Sequence, residues 1–322
     1  MAGKKENTAK TVTTAEVKPT KTKSRLTRFN RTGYLFVAPF VIVFLIFSVY
    51  PVFRTLYLSF CEYKGGIGKV PELIGLENYK LVLTDKFFWR ALFNTARVWI
   101  INIILQLGLA FLLTIIFSDV KYKIRGLGIY RAVYYLPNLI AATSVAFLFK
   151  TLLDQNYGSF NIMLNELGFD KRIDWLGSSQ YVYWTIAVIQ AWLWFGNSFL
   201  MLMAGVMGIS KDYFEAAAID GAGRWTTFTK ITMPLLKPIM LYVGVTSLIG
   251  GLQMFDLPQL MITKTMASYD AIETVVMYLY KFGFMTTTKD IGRAAAIAYV
   301  LFVIILIFSV LQFMLSYSKE DE

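Results

Sequence analysis

The chain has 322 residues, 56% of them hydrophobic and 16% aromatic, with a mean hydropathy of +0.53. A water-soluble domain of that length has no core able to take so much apolar surface, so the composition describes an integral membrane protein. It has no histidine and only one cysteine, Cys61, which excludes an intrachain disulfide, a Cys/His metal site and an imidazole base. The formal charge of +11 comes from Lys and Arg gathered in the N-terminal tail and in short segments beside apolar runs. That is the pattern of membrane orientation, and it argues against nucleic acid as a partner.

Residues 1–32 carry nine Lys or Arg and almost no large apolar residue before Leu26, the composition of a disordered basic tail. The apolar run from Tyr34 to Phe53 continues directly into RTLYLSF, with no small-x-small cleavage site behind it, and therefore reads as an anchor that is retained. Crossing a bilayer as a helix takes about 20 predominantly apolar residues. Six stretches qualify, at 33–58, 93–117, 131–150, 181–207, 236–260 and 294–317. The expected fold is an all-α membrane protein whose single six-helix domain covers 33–317, followed by a short tail at 318–322. No fixed-period repeat is present.

Lys and Arg number 18 on the side shared with the N-terminus and 12 on the other, which places both termini in the cytoplasm. Segments 61–92 and 151–180 are then extracytoplasmic and too short for domains of their own. Trp175 to Gln180, WLGSSQ, is expected to form an interfacial belt. Arg54 and Arg97, near outer span ends, are expected to snorkel to headgroups. Ala204 and Gly208, four apart, suit close packing of helices.

Between the fourth and fifth runs, on the cytoplasmic side, lies EAAAIDGAGRWTTFTKITMPLLKP, residues 215–238. Ser210 is a helix N-cap with Asp212 in the first turn, and Gly221 within DGAG ends that helix in a left-handed turn. A second helix, 224–232, is expected to stop before Pro234, with Pro238 opening the fifth span. Phe214, Phe228 and Ile231 are candidates to pack the hairpin onto the membrane helices. Three alanines beside a carboxylate make a low-relief surface that another protein can approach closely. The residues alone leave this docking reading level with an ordinary loop that is helical because alanine favours helices.

Glu215-Ala216-Ala217, Asp220-Gly221-Ala222, Phe228, Ile231, Pro234 and Pro238 resemble, at matching spacing, the EAA motif of permease subunits of bacterial ABC importers. The carbohydrate branch, similar to the maltose and glycerol-phosphate permeases, fits best. APF (38–40), YPVFRTLYLSF (50–60), GLENY (75–79), Asn94-Thr95 and Phe255-Asp256 extend the resemblance over most of 33–317. It implies the type I importer permease fold, with a coupling helix in the hairpin 210–238 that enters a groove on an ATP-hydrolysing subunit. Glu215 would meet a polar or basic group there, Ala216 and Ala217 would permit close approach, and Gly221 would make the bend. The resemblance also implies a second homologous permease subunit, two ATPase subunits and an extracytoplasmic solute-binding protein, with this chain itself not an enzyme.

GAGRWTTF lacks the Gly-Lys-Ser/Thr ending of a phosphate-binding loop, so no cofactor is expected on this chain, and ATP and Mg would bind the partner ATPases. Polar side chains at membrane depth are costly and mark a pathway. Gln190, Trp192, Trp194 and Asn197 of the fourth span, with Gln253 and Asp256 of the fifth, are the candidates. Amides beside indole rings suit sugars, whose hydroxyls need donors and acceptors while their apolar faces stack on aromatics. Asn102 and Gln106 of the second span fit either that role or a bond between helices. An ion-coupled secondary transporter is the alternative function, although the only intramembrane acid is Asp256 near a span edge.

Overall fold

The computed structural model of the chain describes residue 3 and residues 31–65, 69–118, 126–262, 266–285 and 289–317. The tail expected at 1–32 lies almost wholly outside the described residues, and that at 318–322 lies wholly outside them. The fold divides into two units, 1–52 and 53–322. Apart from residue 3, the described part of the first is helical and belongs to α1, Gly33–Ser59, which contains a widened π-type stretch at Leu45–Val49. Its side chains are almost all exposed, as expected of a helix whose partner is lipid or protein within a membrane.

The second unit is a helical bundle with two small antiparallel β-pairs. After the end of α1 come β1 (Cys61–Glu62), β2 (Lys64–Gly65) and β3 (Glu72–Leu73), then α2 (Glu77–Thr84) and the long α3 (Lys86–Phe117). Helices α4 (Leu127–Leu139), α5 (Ala142–Leu152) and α6 (Ser159–Glu166) lead to α7 (Val182–Gly208). The hairpin helices α8 (Lys211–Ile219) and α9 (beginning Arg224–Thr227) follow, then α10 (Lys237–Leu252), α11 (Asp256–Met261), α12 (Met266–Ile272) and α13 (Val275–Met285). Strand β4 (Lys289–Asp290) precedes the final helix α14 (Ile291–Tyr317). β1 pairs with β3, and β2 with β4.

Helix α7 is the axis of the bundle: 56% of its most apolar window is buried, against 22% for α3, 33% for the α10–α11 region and 39% for α14. The other spans keep a broad apolar face turned outward, as lipid contact requires. α3 and α4 both pack along α7. The approach of α4 depends on Gly196, where a Cβ would fall 1.9 Å from the Tyr134 carbonyl oxygen.

Two helices depart from the expected elements. The stretch expected as the third span is not straight: α4 and α5 meet at 86° across the extended residues Ile140 and Ala141, so the described residues hold five helices long and apolar enough to cross a membrane, or six where this bent pair counts as one span. Irregular backbone at membrane depth persists only where it is buried in protein or lines a cavity. This break does the latter, through Asn138, Ile140 and Ala142. The hairpin's second helix does not stop at 232 either. It widens at Phe228–Thr232, where the Met233 N–H bonds back to the Phe228 carbonyl, and runs through Pro234 to Leu235. The wider turn gives the ring of Pro234 the space that a regular helix denies it.

At the end of the bundle remote from the hairpin, Asp85 joins three segments. One carboxylate oxygen caps α3 by accepting from the Phe87 N–H at 2.9 Å, and the other accepts from the Tyr278 hydroxyl of α13 and the Arg293 guanidinium of α14. Arg90 reaches Asp270 at 2.9 Å and the buried Glu273 at 3.4 Å. Hydrogen bonds from Tyr278, the Phe87 amide and Arg293, with the charge of Arg293, overcome the raising effect of burial and hold the Asp85 carboxyl below its usual value.

In WLGSSQ, the expected belt segment, the tryptophan is half-buried. Trp175 turns inward, donates its indole N–H to Asn161 at 3.1 Å and stacks edge-on against Phe160. Arg97, exposed at the side of α3, lies 3.4 Å from the centre of the Tyr183 ring and so stacks on protein.

Candidate functional site

Two sites follow from this architecture, one on the hairpin and one inside the bundle. Ser210 caps α8, accepting from the Asp212 N–H at 3.4 Å. The helix closes in a Schellman turn: the Ala222 N–H bonds to the Ala217 carbonyl and the Gly221 N–H to that of Ala218, with Gly221 at φ +73°. A side chain there would strain the backbone, which explains glycine at 221. Phe214 is buried against Phe199, Leu202, Met203 and Leu236, and Ala217 and Phe228 are also buried. Arg224 donates to the Ile116 carbonyl at 2.9 Å, tying the hairpin to the carbonyl end of α3, where a cation is favoured by the helix dipole.

The hairpin therefore turns two faces in different directions. Ala217, Phe228 and the half-buried Ile231 face the bundle, while Glu215, Ala216, Asp220, Gly221 and Pro234 are exposed. Beside them stand three residues that the sequence reading did not single out: Tyr213, Ile219 and Trp225, respectively 55%, 86% and 67% exposed. Their signal in the sequence was large apolar residues beside an alanine run, outside any span. A cleft of about 220 Å³ opens between α8 and α9, lined by Glu215, Ala218, Arg224 and Phe228 among others.

The second site is a cavity of about 120 Å³ among α3, α7 and α10. Gln190, Trp194 and Asn197 of α7 meet there, with Asn102 and Gln106 from α3 and Tyr242, Thr246 and Ser247 from α10. Every one of these polar groups is uncharged. Gln106 donates to the Ser198 hydroxyl at 2.7 Å, so the bond between helices holds for this residue. Among the described residues the buried oxygens Asn102 Oδ1 and Gln190 Oε1 have no donor, leaving two acceptors for a hydroxyl or water. A neighbouring cavity of about 300 Å³ shares Gln190 and Trp194 and adds Asn138, Gln253 and Asp256. Five of the six pathway candidates thus gather in two adjoining cavities. Trp192 does not: two residues from both Gln190 and Trp194 on a helix of 3.6 residues per turn, it points into the apolar core against Phe149. Tyr242, Thr246 and Ser247 were missed, although hydroxyls and Gly250-Gly251 at helical spacing on α10 were a usable sign.

A bundle of membrane helices with an uncharged polar cavity at mid-depth and a capped hairpin projecting from one end is the architecture of a solute permease. The chain belongs to the family of binding-protein-dependent transport system inner membrane components, whose model matches residues 24–318. It is 32% identical over 301 residues to the probable ABC transporter permease protein YesP of Bacillus subtilis (strain 168), covering 91% of this chain and 94% of that one. It is 31% identical over 290 residues to the arabinooligosaccharides transport system permease protein AraP of the same organism, covering 90% of each. Among solved structures, a bacterial alginate ABC transporter in complex with an alginate pentasaccharide-bound periplasmic protein contains a chain with TM-score 0.72 and 26% identity, covering 87% of this chain and 92% of that one. These relatives give no support to an ion-coupled secondary transporter.

Proposed function

We propose that this chain forms half of the translocation pathway of an ABC importer for an oligosaccharide or related polyol. A second, homologous permease subunit would form the other half. The observation that carries the reading is the convergence of Gln190, Trp194, Asn197, Tyr242 and Thr246 on one uncharged cavity at mid-depth. Amides and hydroxyls there exchange hydrogen bonds with sugar hydroxyls, and Trp194 offers a ring face for the apolar side of a pyranose. Gln253 and Asp256, in the adjoining cavity, would meet the solute on its way in. The saccharides in the names of AraP and of the alginate transporter support the substrate class.

Coupling is assigned to the hairpin. With both termini in the cytoplasm, as the Lys and Arg balance favours, Glu215, Ala216, Asp220 and Gly221 face a cytoplasmic ATPase subunit, and two such subunits would serve the permease pair. Ala217, Phe228, Ile231 and Pro234 would transmit the load, the first two as buried side chains of the hairpin and Pro234 by setting its exit towards α10, while Phe214 anchors it to α7. Force on the hairpin, which joins α7 to α10, would move the two helices that carry most of the pocket's polar groups. An extracytoplasmic binding protein would deliver the solute to the remote end. The domain plan follows: a basic tail at 1–32, the permease domain at 33–317 and a tail at 318–322. ATP and Mg belong to the ATPase subunits.

The test is uptake of labelled neutral oligosaccharides by the assembled transporter in proteoliposomes. ATP-dependent uptake that is lost with Glu215→Arg supports the proposal. Uptake by the purified chain alone, driven by a proton or sodium gradient, would overturn it.

A further inference from the structure

We propose that Trp99 and Asn102 of α3, with Gln190 of α7, form a site in the cavity wall that reads hydroxyl groups of the solute. The proposal rests on the reading of that cavity as the solute's path. Its basis is three polar atoms that are buried and have no hydrogen-bond partner among the described residues: the indole N–H of Trp99, Asn102 Oδ1 and Gln190 Oε1. A buried donor or acceptor left unpaired is destabilising, so three in one region point to a ligand that completes them.

The Asn102 oxygen is aimed by its neighbours. Gln106, 4% exposed, donates from Nε2 to the Ser198 hydroxyl at 2.7 Å, and its carbonyl oxygen accepts from Asn102 Nδ2 at 3.5 Å. With its nitrogen so engaged, Asn102, itself 3% exposed, has Oδ1 left for another donor. Asn102 and Gln106 lie four apart on one face of α3 and both line the cavity, and Gln190 lines it from α7.

Trp99 stands on the same face of α3, three residues before Asn102. Its indole lies against Gly251 of the cavity wall, where a Cβ would fall 1.9 Å from Trp99 Cδ1 and 2.7 Å from Nε1. Only glycine lets the ring approach α10 so closely, and this approach sets the indole N–H at the border of the cavity.

The ligand's chemistry follows from the kinds of atom left over. An anion would meet two acceptor oxygens in a site with no cation. An ammonium group would satisfy the oxygens, but it would leave the Trp99 N–H unpaired and place a charge where every lining group is uncharged. A hydroxyl both donates and accepts, so two neighbouring hydroxyls of a sugar or polyol can donate to the amide oxygens while one of them accepts from the indole. Trp99 and Asn102 are thereby specificity-determining residues for a solute with adjacent free hydroxyls.

The experiment has two arms, on Trp99→Phe, Asn102→Leu and the double variant. In the first, the full-length chain with isotope-labelled indole nitrogens is placed in nanodiscs and titrated with glycerol, a hydroxyl probe that does not require the solute to be known. The Trp99 indole signal, identified by its loss in Trp99→Phe, is expected to move as a glycerol oxygen takes the proton, and to need about threefold to tenfold more glycerol in Asn102→Leu. A signal that stays in place, or that responds equally in Asn102→Leu, would overturn the proposal. In the second arm, uptake of labelled maltotriose or arabinotriose by the assembled transporter in proteoliposomes should fall about threefold to tenfold in each single variant. The double variant should fall little further, because both changes remove bonds to shared hydroxyls. The solute-free Tm of Trp99→Phe should not drop, since that change removes a donor without a partner; a Tm that falls with uptake, or strictly additive losses of uptake, would overturn the assignment. Uptake of neither sugar by the wild type would count against the carbohydrate reading of the cavity, and the first arm would then decide this proposal by itself.

Discussion

In the hairpin, Tyr213, Glu215, Ala216, Ile219 and Trp225 face away from the fold, whereas in the bundle Asn102, Gln190, Asn197 and Thr246 face one another across a small cavity. The hairpin is built by local rules: Ser210 starts α8, Gly221 ends it, and both act within a few residues of the chain they control. The cavity is built by distant ones, since its walls come from α3, α7 and α10, separated by up to about 150 positions in sequence. A contact surface for another protein tolerates the first kind of construction because its partner supplies the remaining order. A polar pocket inside a membrane does not, because each unpaired donor or acceptor there costs several kcal/mol unless tertiary neighbours hold it in place.

This contrast is open to direct attack, and the largest effect falls on the packing that supports the cavity. Gly196→Leu drives a side chain into the Tyr134 carbonyl of α4 and is expected to cost about 3 kcal/mol or more, so that the protein fails to accumulate in membranes. Gly250→Ala, which meets nothing within 4 Å, should accumulate normally, and equal blotting signals for the two variants would refute the role assigned to Gly196. At the hairpin, Glu215→Arg is expected to lower ATP-dependent uptake by about tenfold or more while leaving membrane levels near wild type, because the side chain is exposed and carries no fold contact of its own. Loss of protein in step with loss of uptake would show the hairpin to be structural instead.

A smaller effect tests the cavity's chemistry. Gln190→Leu removes a free acceptor and should reduce uptake by about tenfold through one or two lost hydrogen bonds, whereas Trp192→Phe, facing the core beside Phe149, should leave the solute's apparent KM unchanged. Reversal of that order in a transport assay would move the pathway to the other face of α7.

The smallest effect lies at the remote end, in the Asp85 clamp. Its folded pKa is depressed, so its contribution is fully present above the unfolded carboxylate value of about 3.9 and is lost as pH falls through the folded value. Asp85→Asn should lower stability by about 1–3 kcal/mol at neutral pH and flatten the fall in Tm below about pH 5. A variant whose Tm follows the wild-type pH curve would rule the clamp out.

Much of the fold was readable from hydropathy, because lipid imposes long apolar helices and the spans at 33–58, 181–207 and 294–317 differ from the observed helices by only a few residues. The bend of the third span was not readable. Pro137 lies within α4, and the break falls three residues later at Ile140, where the deciding factor is the cavity it lines. Trp175 shows the same limit: an aromatic beside an apolar run was legible, but its indole bond to Asn161, fourteen residues earlier, was not.

By itself the sequence determined that the chain lives in a membrane, where its long apolar helices run, and that a capped, glycine-terminated hairpin interrupts it between residues 208 and 237. Those properties depend on hydropathy and on bonds made within one turn of helix, which a linear chain carries in full. Tertiary structure alone decided which amides share a cavity and why Trp192 is excluded from it while Trp194 is not. Each of these depends on which face of a helix meets which neighbour, and a nearly uniform apolar helix such as α7, buried on most sides, contains no polar stripe to announce that choice.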